Sequence, residues 1–140
     1  MSKSVFIDTS AFYALAARRD ANHGIAKRAY EDLLSEGVLF VLTDHVLAES
    51  ATLIRRQLGY QAAQDFLRLI EEGEVIGLFD VIDIDEALLK LAKEIFRKDA
   101  DPKLSFVDAL SIAVMRTRRI RRFFAFDEHF EWAGFQNVIS

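Results

Sequence analysis

Short, almost wholly apolar runs alternate along this chain with stretches of helical periodicity, and that alternation leaves few architectures open. Residues 5–7 and 38–42 read as buried strands with hardly a polar interruption. A third strand falls within 75–82, a fourth run covers 123–126, and a short terminal strand is expected in 135–139. Between them the period lengthens. Leu47, Ala51, Ile54 and Leu58 recur at helical spacings over 44–57 and just beyond, as do Ala87, Leu88, Leu91, Ala92 and Ile95. Helices are also expected over 10–18, 21–35, 60–71 and 105–118, and Gly37, Gly59 and Gly73 each follow a helical pattern where a C′ glycine belongs. The only proline, Pro102, falls in a polar loop and leaves every helix interior intact. The expectation is a three-layer α/β domain with a mainly parallel central sheet flanked by helices.

With 140 residues, 51% of them hydrophobic, the chain can bury one real core, and a single domain over 1–140 is expected. No run approaches the roughly 20 apolar residues of a membrane helix, and the first eight residues hold no signal-peptide core, so a soluble, cytoplasmic protein with no membrane partner is expected. The absence of cysteine excludes disulfides, thiolate nucleophiles and cysteine-ligated zinc. A formal charge of −4 argues against a general polyanion-coating protein, so any nucleic-acid contact must be local.

Four acidic residues stand out. Asp8 and Asp127 each follow an apolar run and so lie at strand carboxyl ends, the edge where open α/β sheets bind ligands. Each is also placed to cap a helix, which aspartate does well. Asp108 sits in the run from Leu104 to Met115, apolar nearly all round, where a lone ionised carboxylate is costly unless paired or bound to a cation. An arginine or backbone donors would satisfy it equally well. Ser105 and Ser111 extend a thin polar stripe through it. Glu49 stands about half a turn from the Leu47 stripe, either as a solvated glutamate or on a face partly covered by Val46 and Leu53. Carboxylates gathered together repel, and a divalent cation removes the conflict; all-oxygen ligands suit Mg²⁺ or Mn²⁺. Such a cation supports phosphodiester hydrolysis.

The motifs Val5, Phe6, Ile7, Asp8, Thr9, Ser10; Leu47, Ala48, Glu49; Leu104, Ser105, Phe106, Val107, Asp108, Ala109; and Phe126, Asp127, Glu128, His129, Phe130 come in an order and spacing that resembles PIN-domain nucleases. The likeness covers nearly the whole chain and is greatest to the small VapC-type toxins of toxin–antitoxin pairs. It implies a metal-dependent endoribonuclease with Asp8, Glu49, Asp108 and Asp127 as catalytic and metal-holding residues, Thr9, Ser10 and Ser105 as neighbouring hydroxyls, an RNA substrate, a homodimer and an antitoxin covering the site. A housekeeping RNA-processing nuclease, a PIN fold that binds without cutting and a receiver-like signalling module are the alternatives. A receiver would show paired acidic residues after its first strand, whereas Asp8 is followed by Thr9 and Ser10.

Arg116, Arg118, Arg119, Arg121 and Arg122 form a basic run at a helix end, read either as a solvated end favoured by the helix dipole or as a local RNA or antitoxin contact, to which Arg55 and Arg56 add. His23, His45 and His129 show no metal-ligand spacing, and His23 is expected to pack near the start of the second helix. The 12 phenylalanines are read as core, with Phe12 and Tyr13 near Asp8 as candidates for exposed stacking residues.

Overall fold

The computed structural model describes residues 3–126 and 129–139. Its strands are β1 (Ser4–Ile7), β2 (Leu39–Thr43), β3 (Phe79–Ile82), β4 (Arg122–Phe124) and β5 (Gln136–Asn137). The helices are α1 (Thr9–Ala16), α2 (His23–Glu36), α3 (Asp44–Leu58), α4 (Tyr60–Val75), α5 (Glu86–Lys98), α6 (Phe106–Arg118) and α7 (His129–Trp132). The strands form one five-stranded sheet in the order β3-β2-β1-β4-β5. Every pairing among the described residues is parallel, as near-continuous apolar strands require when both faces are covered.

That order fixes where the helices go. From β1 the chain steps outward to β2 and then β3, and from β3 it crosses back to β4 and on to β5. With right-handed crossovers, steps in opposite directions put their helices on opposite faces. Packing agrees: α1 contacts α2 and α3, and α3 contacts α4, while α5 packs on α6 and α6 on α7. The direction reverses between β1 and β4, so the crevice at their carboxyl ends is the topological switch point, where ligands bind in sheets of this kind.

Alternating side chains serve the two faces. Phe40 on β2 stacks with Tyr30 of α2 at 5.2 Å and with Phe79 at 5.6 Å, while the rings of Phe6 and Phe123 meet Phe130 of α7 at 6.1 and 5.0 Å. Phe12 belongs to this core and is not an exposed stacking residue. It is 2% exposed and meets Phe66 edge-on at 5.1 Å, because the first turn of α1 rolls it towards α4. Tyr13 is half-buried against the same core.

Gly37 ends α2 at φ 75°, as a C′ glycine should. Gly73, expected to do the same for α4, lies inside that helix instead. A Cβ there would stand 2.2 Å from the Phe79 ring, so its role is to let α4 lie against β3. The short helix α7 was not anticipated. No helix of the described residues is long and apolar enough to cross a membrane.

Candidate active site

Asp8 leaves β1 at the switch point. Its own N–H donates to the Phe124 carbonyl at 3.1 Å, extending the β1–β4 contact to the carboxyl edge of the sheet. It is the N-cap of α1, and its Oδ2 accepts from the Ser10 N–H at 3.3 Å and from the Ser10 hydroxyl at 3.0 Å. The Ser10 Oγ in turn accepts from the N–H of Phe126 at 2.9 Å. One hydroxyl therefore ties the Asp8 carboxylate to the backbone immediately before Asp127. The Asp127 carboxylate itself lies outside the described residues, as does Glu128.

Beside Asp8, Thr9 is buried and accepts at its Oγ1 from the Ser50 hydroxyl at 3.1 Å, pinning α1 to α3. Ser50 is a residue that the sequence reading missed. The buried stripe of α3 runs through Val46, Ser50 and Ile54, one position round from the stripe expected through Leu47 and Ala51. That rotation corrects the environment of Glu49. Val46 is wholly buried on the inner face and does not cover Glu49, which is exposed on the second turn of α3.

Asp108 is 7% exposed at the third position of α6. Ser105 and Asp108 form a reciprocal capping box: the Asp108 N–H donates to Ser105 Oγ at 3.0 Å, and the Ser105 N–H donates to Asp108 Oδ2 at 3.2 Å. Backbone donation thus helps to explain a carboxylate on so apolar a helix, and the positive end of the helix dipole favours it there. The capping role does not hide the residue. Asp8, Thr9, Ser10, Glu49, Ser105 and Asp108 all line one cleft of about 700 Å³, together with Ala48, Thr52, Leu53, Arg56 and Lys103.

Among the described residues, no three His, Asp or Glu side chains group as a metal cage. Asp8, Asp108 and Glu49 nevertheless share one cleft, and every donor they and the adjacent hydroxyls present is oxygen, the set that suits Mg²⁺ or Mn²⁺. His23 stands apart, its Nδ1 2.8 Å from the Ala14 carbonyl at the start of α2.

The basic run is not part of this cleft. Arg116, Arg118 and Arg119 are at the carboxyl end of α6, the nearest of them, Arg116, eight residues of helix or about 12 Å from Asp108, while Arg121 precedes β4 and Arg122 begins it at the amino edge of the sheet. Arg118 pairs with Asp80 at 3.4 Å and Arg122 with Glu36 at 3.0 Å. The cations in the cleft are Arg56 and Lys103.

A switch-point cleft floored by aspartates from β1 and α6 defines a class, and a family model makes it explicit: the PIN domain matches residues 5–136, so the chain belongs to the PIN-domain family. Within it, the chain is 34% identical over 137 residues to VapC20 of Mycobacterium tuberculosis, described as a 23S rRNA-specific endonuclease, covering 96% of this chain and 97% of that protein. The same protein from the H37Rv strain matches equally. The crystal structure of VapC20, described as a sarcin–ricin loop cleaving toxin, superposes with a TM-score of 0.82 over 94% of this chain and 95% of that one, at 34% identity.

Proposed function

We propose that this chain is a Mg²⁺- or Mn²⁺-dependent endoribonuclease, the toxin of a VapBC-type toxin–antitoxin pair, with Asp8, Glu49, Asp108 and Asp127 as its acidic site. The observation that carries the reading is the convergence of buried Asp8 and buried Asp108 on one open cleft at the switch point, with Glu49 on its wall. Asp8 and Asp108 are the direct ligands on this reading, and Glu49 and Asp127 complete the set. Asp8 and Asp108, with Glu49, would hold a cation there, and its chemistry would be charge neutralisation at the phosphodiester and a lowered pKa for water. The chain's own contribution is position. Ser10 and the capping box hold the two aspartates at fixed helix starts, and the exposed Glu49 reaches the cleft from solvent.

Near full-length likeness to a 23S rRNA-specific endonuclease supports ribosomal RNA as the substrate class, with the sarcin–ricin loop as the first site to try. A homodimer and an antitoxin whose peptide covers the cleft complete the proposal.

The test is cleavage of 23S rRNA by purified protein, freed of any partner, in Mg²⁺, Mn²⁺ or EDTA. Cutting at discrete sites with either cation and none in EDTA is expected. Cleavage that survives EDTA would overturn the metal-dependent reading.

A further inference from the structure

A cleft floored by carboxylates presents a difficulty to its own substrate, because RNA is a polyanion and the chain as a whole carries a formal charge of −4. Attraction must therefore come from cations placed close to the cleft. We infer that Arg56 and Lys103 seat the RNA backbone by binding the phosphates on either side of the one that is cut, an inference that rests on the ribonuclease reading above.

Arg56 lies on α3 seven residues after Glu49, hence on the same face of the helix and about 10 Å further along its axis. Lys103 approaches from the other layer, two residues before the Ser105 cap of α6. Its backbone is fixed: the Lys103 N–H donates to Asp101 Oδ1 at 2.9 Å, the Asp101 N–H donates to Asp99 Oδ1 at 2.9 Å, and Leu104 is buried beside it. The side chains of both residues are exposed, and neither has an ion-pair partner among the described residues. Four other arginines are engaged, Arg68 with Asp65, Arg118 with Asp80, Arg122 with Glu36, and Arg55 over the Tyr60 ring at 5.2 Å, and the cleft itself is lined by no cation but Arg56 and Lys103 among the described residues.

The two cations thus reach one cleft from the two layers of helices, Arg56 from α3 and Lys103 from the segment leading into α6, and the buried Asp8 and Asp108 line that same cleft. A strand held by both lies in the cleft that those aspartates line. These are positioning residues, not catalytic ones: they act on phosphates away from the reacting atom and should govern KM rather than kcat.

The experiment compares wild type with Arg56→Ala/Lys103→Ala in steady-state cleavage of a 23S rRNA fragment, and measures binding of the same RNA in the inactive Asp108→Asn background across a salt series. KM should rise about tenfold at low salt with kcat within about twofold. The slope of log K against log salt should fall by about 1.4 to 1.8, at about 0.7 to 0.9 per phosphate contact. Arg56→Lys/Lys103→Arg should restore both, and Lys27→Ala on exposed α2 should change neither. A folded double alanine variant with wild-type KM and salt slope would overturn the inference while leaving the nuclease reading intact. A fall in kcat with KM unchanged would overturn it too. If the wild type neither binds nor cuts the RNA, the nuclease reading fails and this inference fails with it.

Discussion

The two ends of α6 both carry charge, and both in the sense that the helix dipole favours: Asp108 near the amino end, Arg116 and Arg118 near the carboxyl end. They differ in everything else. At the amino end the charge is 7% exposed, locked into a capping box and turned to a cleft that it shares with Asp8 from another element. At the carboxyl end the side chains are exposed, Arg118 pairs with Asp80, and the chain leaves through Arg119 at φ 57° straight into β4. Charge at a helix end is thus weak evidence of function by itself. Burial together with convergence from separate elements is what separates a site from a solvated terminus.

That contrast can be broken or sharpened by experiment. The largest effect is expected from Asp8→Asn. Even a partner behind a metal ligand is worth about 10- to 100-fold, so loss of a ligand's charge should slow RNA cleavage by more than about a hundredfold. Adding a second of the four acidic changes should cost far less than the product of the two, which double-variant kinetics will read. Glu49→Gln comes next: a smaller loss, partly recovered at higher Mn²⁺, with the thermal midpoint unmoved because the side chain is exposed. Ser10→Ala removes the hydroxyl donor to Asp8, though not the backbone N–H that also donates to it, and leaves the Phe126 N–H without its acceptor. It should lower stability by about 1–3 kcal/mol in denaturant titration and reduce cleavage by less than Asp8→Asn does. Mn²⁺ at about a hundred times its dissociation constant should stabilise the wild type by about 2.7 kcal/mol. A midpoint identical in Mn²⁺ and in EDTA would count against a preformed site. Smallest of all, Arg116→Ala/Arg118→Ala should leave cleavage within about twofold and, since the exposed Arg118–Asp80 pair is worth at most about 1 kcal/mol, barely move stability.

Much of this was legible in the sequence because the fold and the site draw on the same residues. Apolar runs announced the parallel sheet, the aspartate that ends the first of them pointed to the edge where the candidate cleft lies, and Asp108 was conspicuous as a carboxylate in an apolar helix. What the sequence obscured was rotation and proximity. On α3 two interleaved stripes, one through Leu47 and Ala51 and one through Val46 and Ile54, compete by composition, and choosing the first hid Ser50, the polar member of the buried one. Gly73 satisfied the pattern of a C′ glycine, yet α4 continues past it because the Phe79 ring needs the space. Arg56 was overshadowed by the denser basic run, although its spacing from Glu49 already put it on that residue's face. Lys103 gave no periodic signal at all, since a loop has no period; only the return of the α5–α6 connection to the carboxyl edge brings it to the cleft.

The central claim is that the amino end of α6 is where the reaction happens. Asp108→Asn tests it most directly, because the asparagine amide oxygen can still accept from the Ser105 N–H and so keep the capping box while losing the charge. The measurement is the single-turnover rate of RNA cleavage by this variant beside wild type, in the same Mn²⁺ buffer and with matched thermal midpoints. The account predicts a rate lower by more than about a hundredfold. A rate equal to that of the wild type would contradict it.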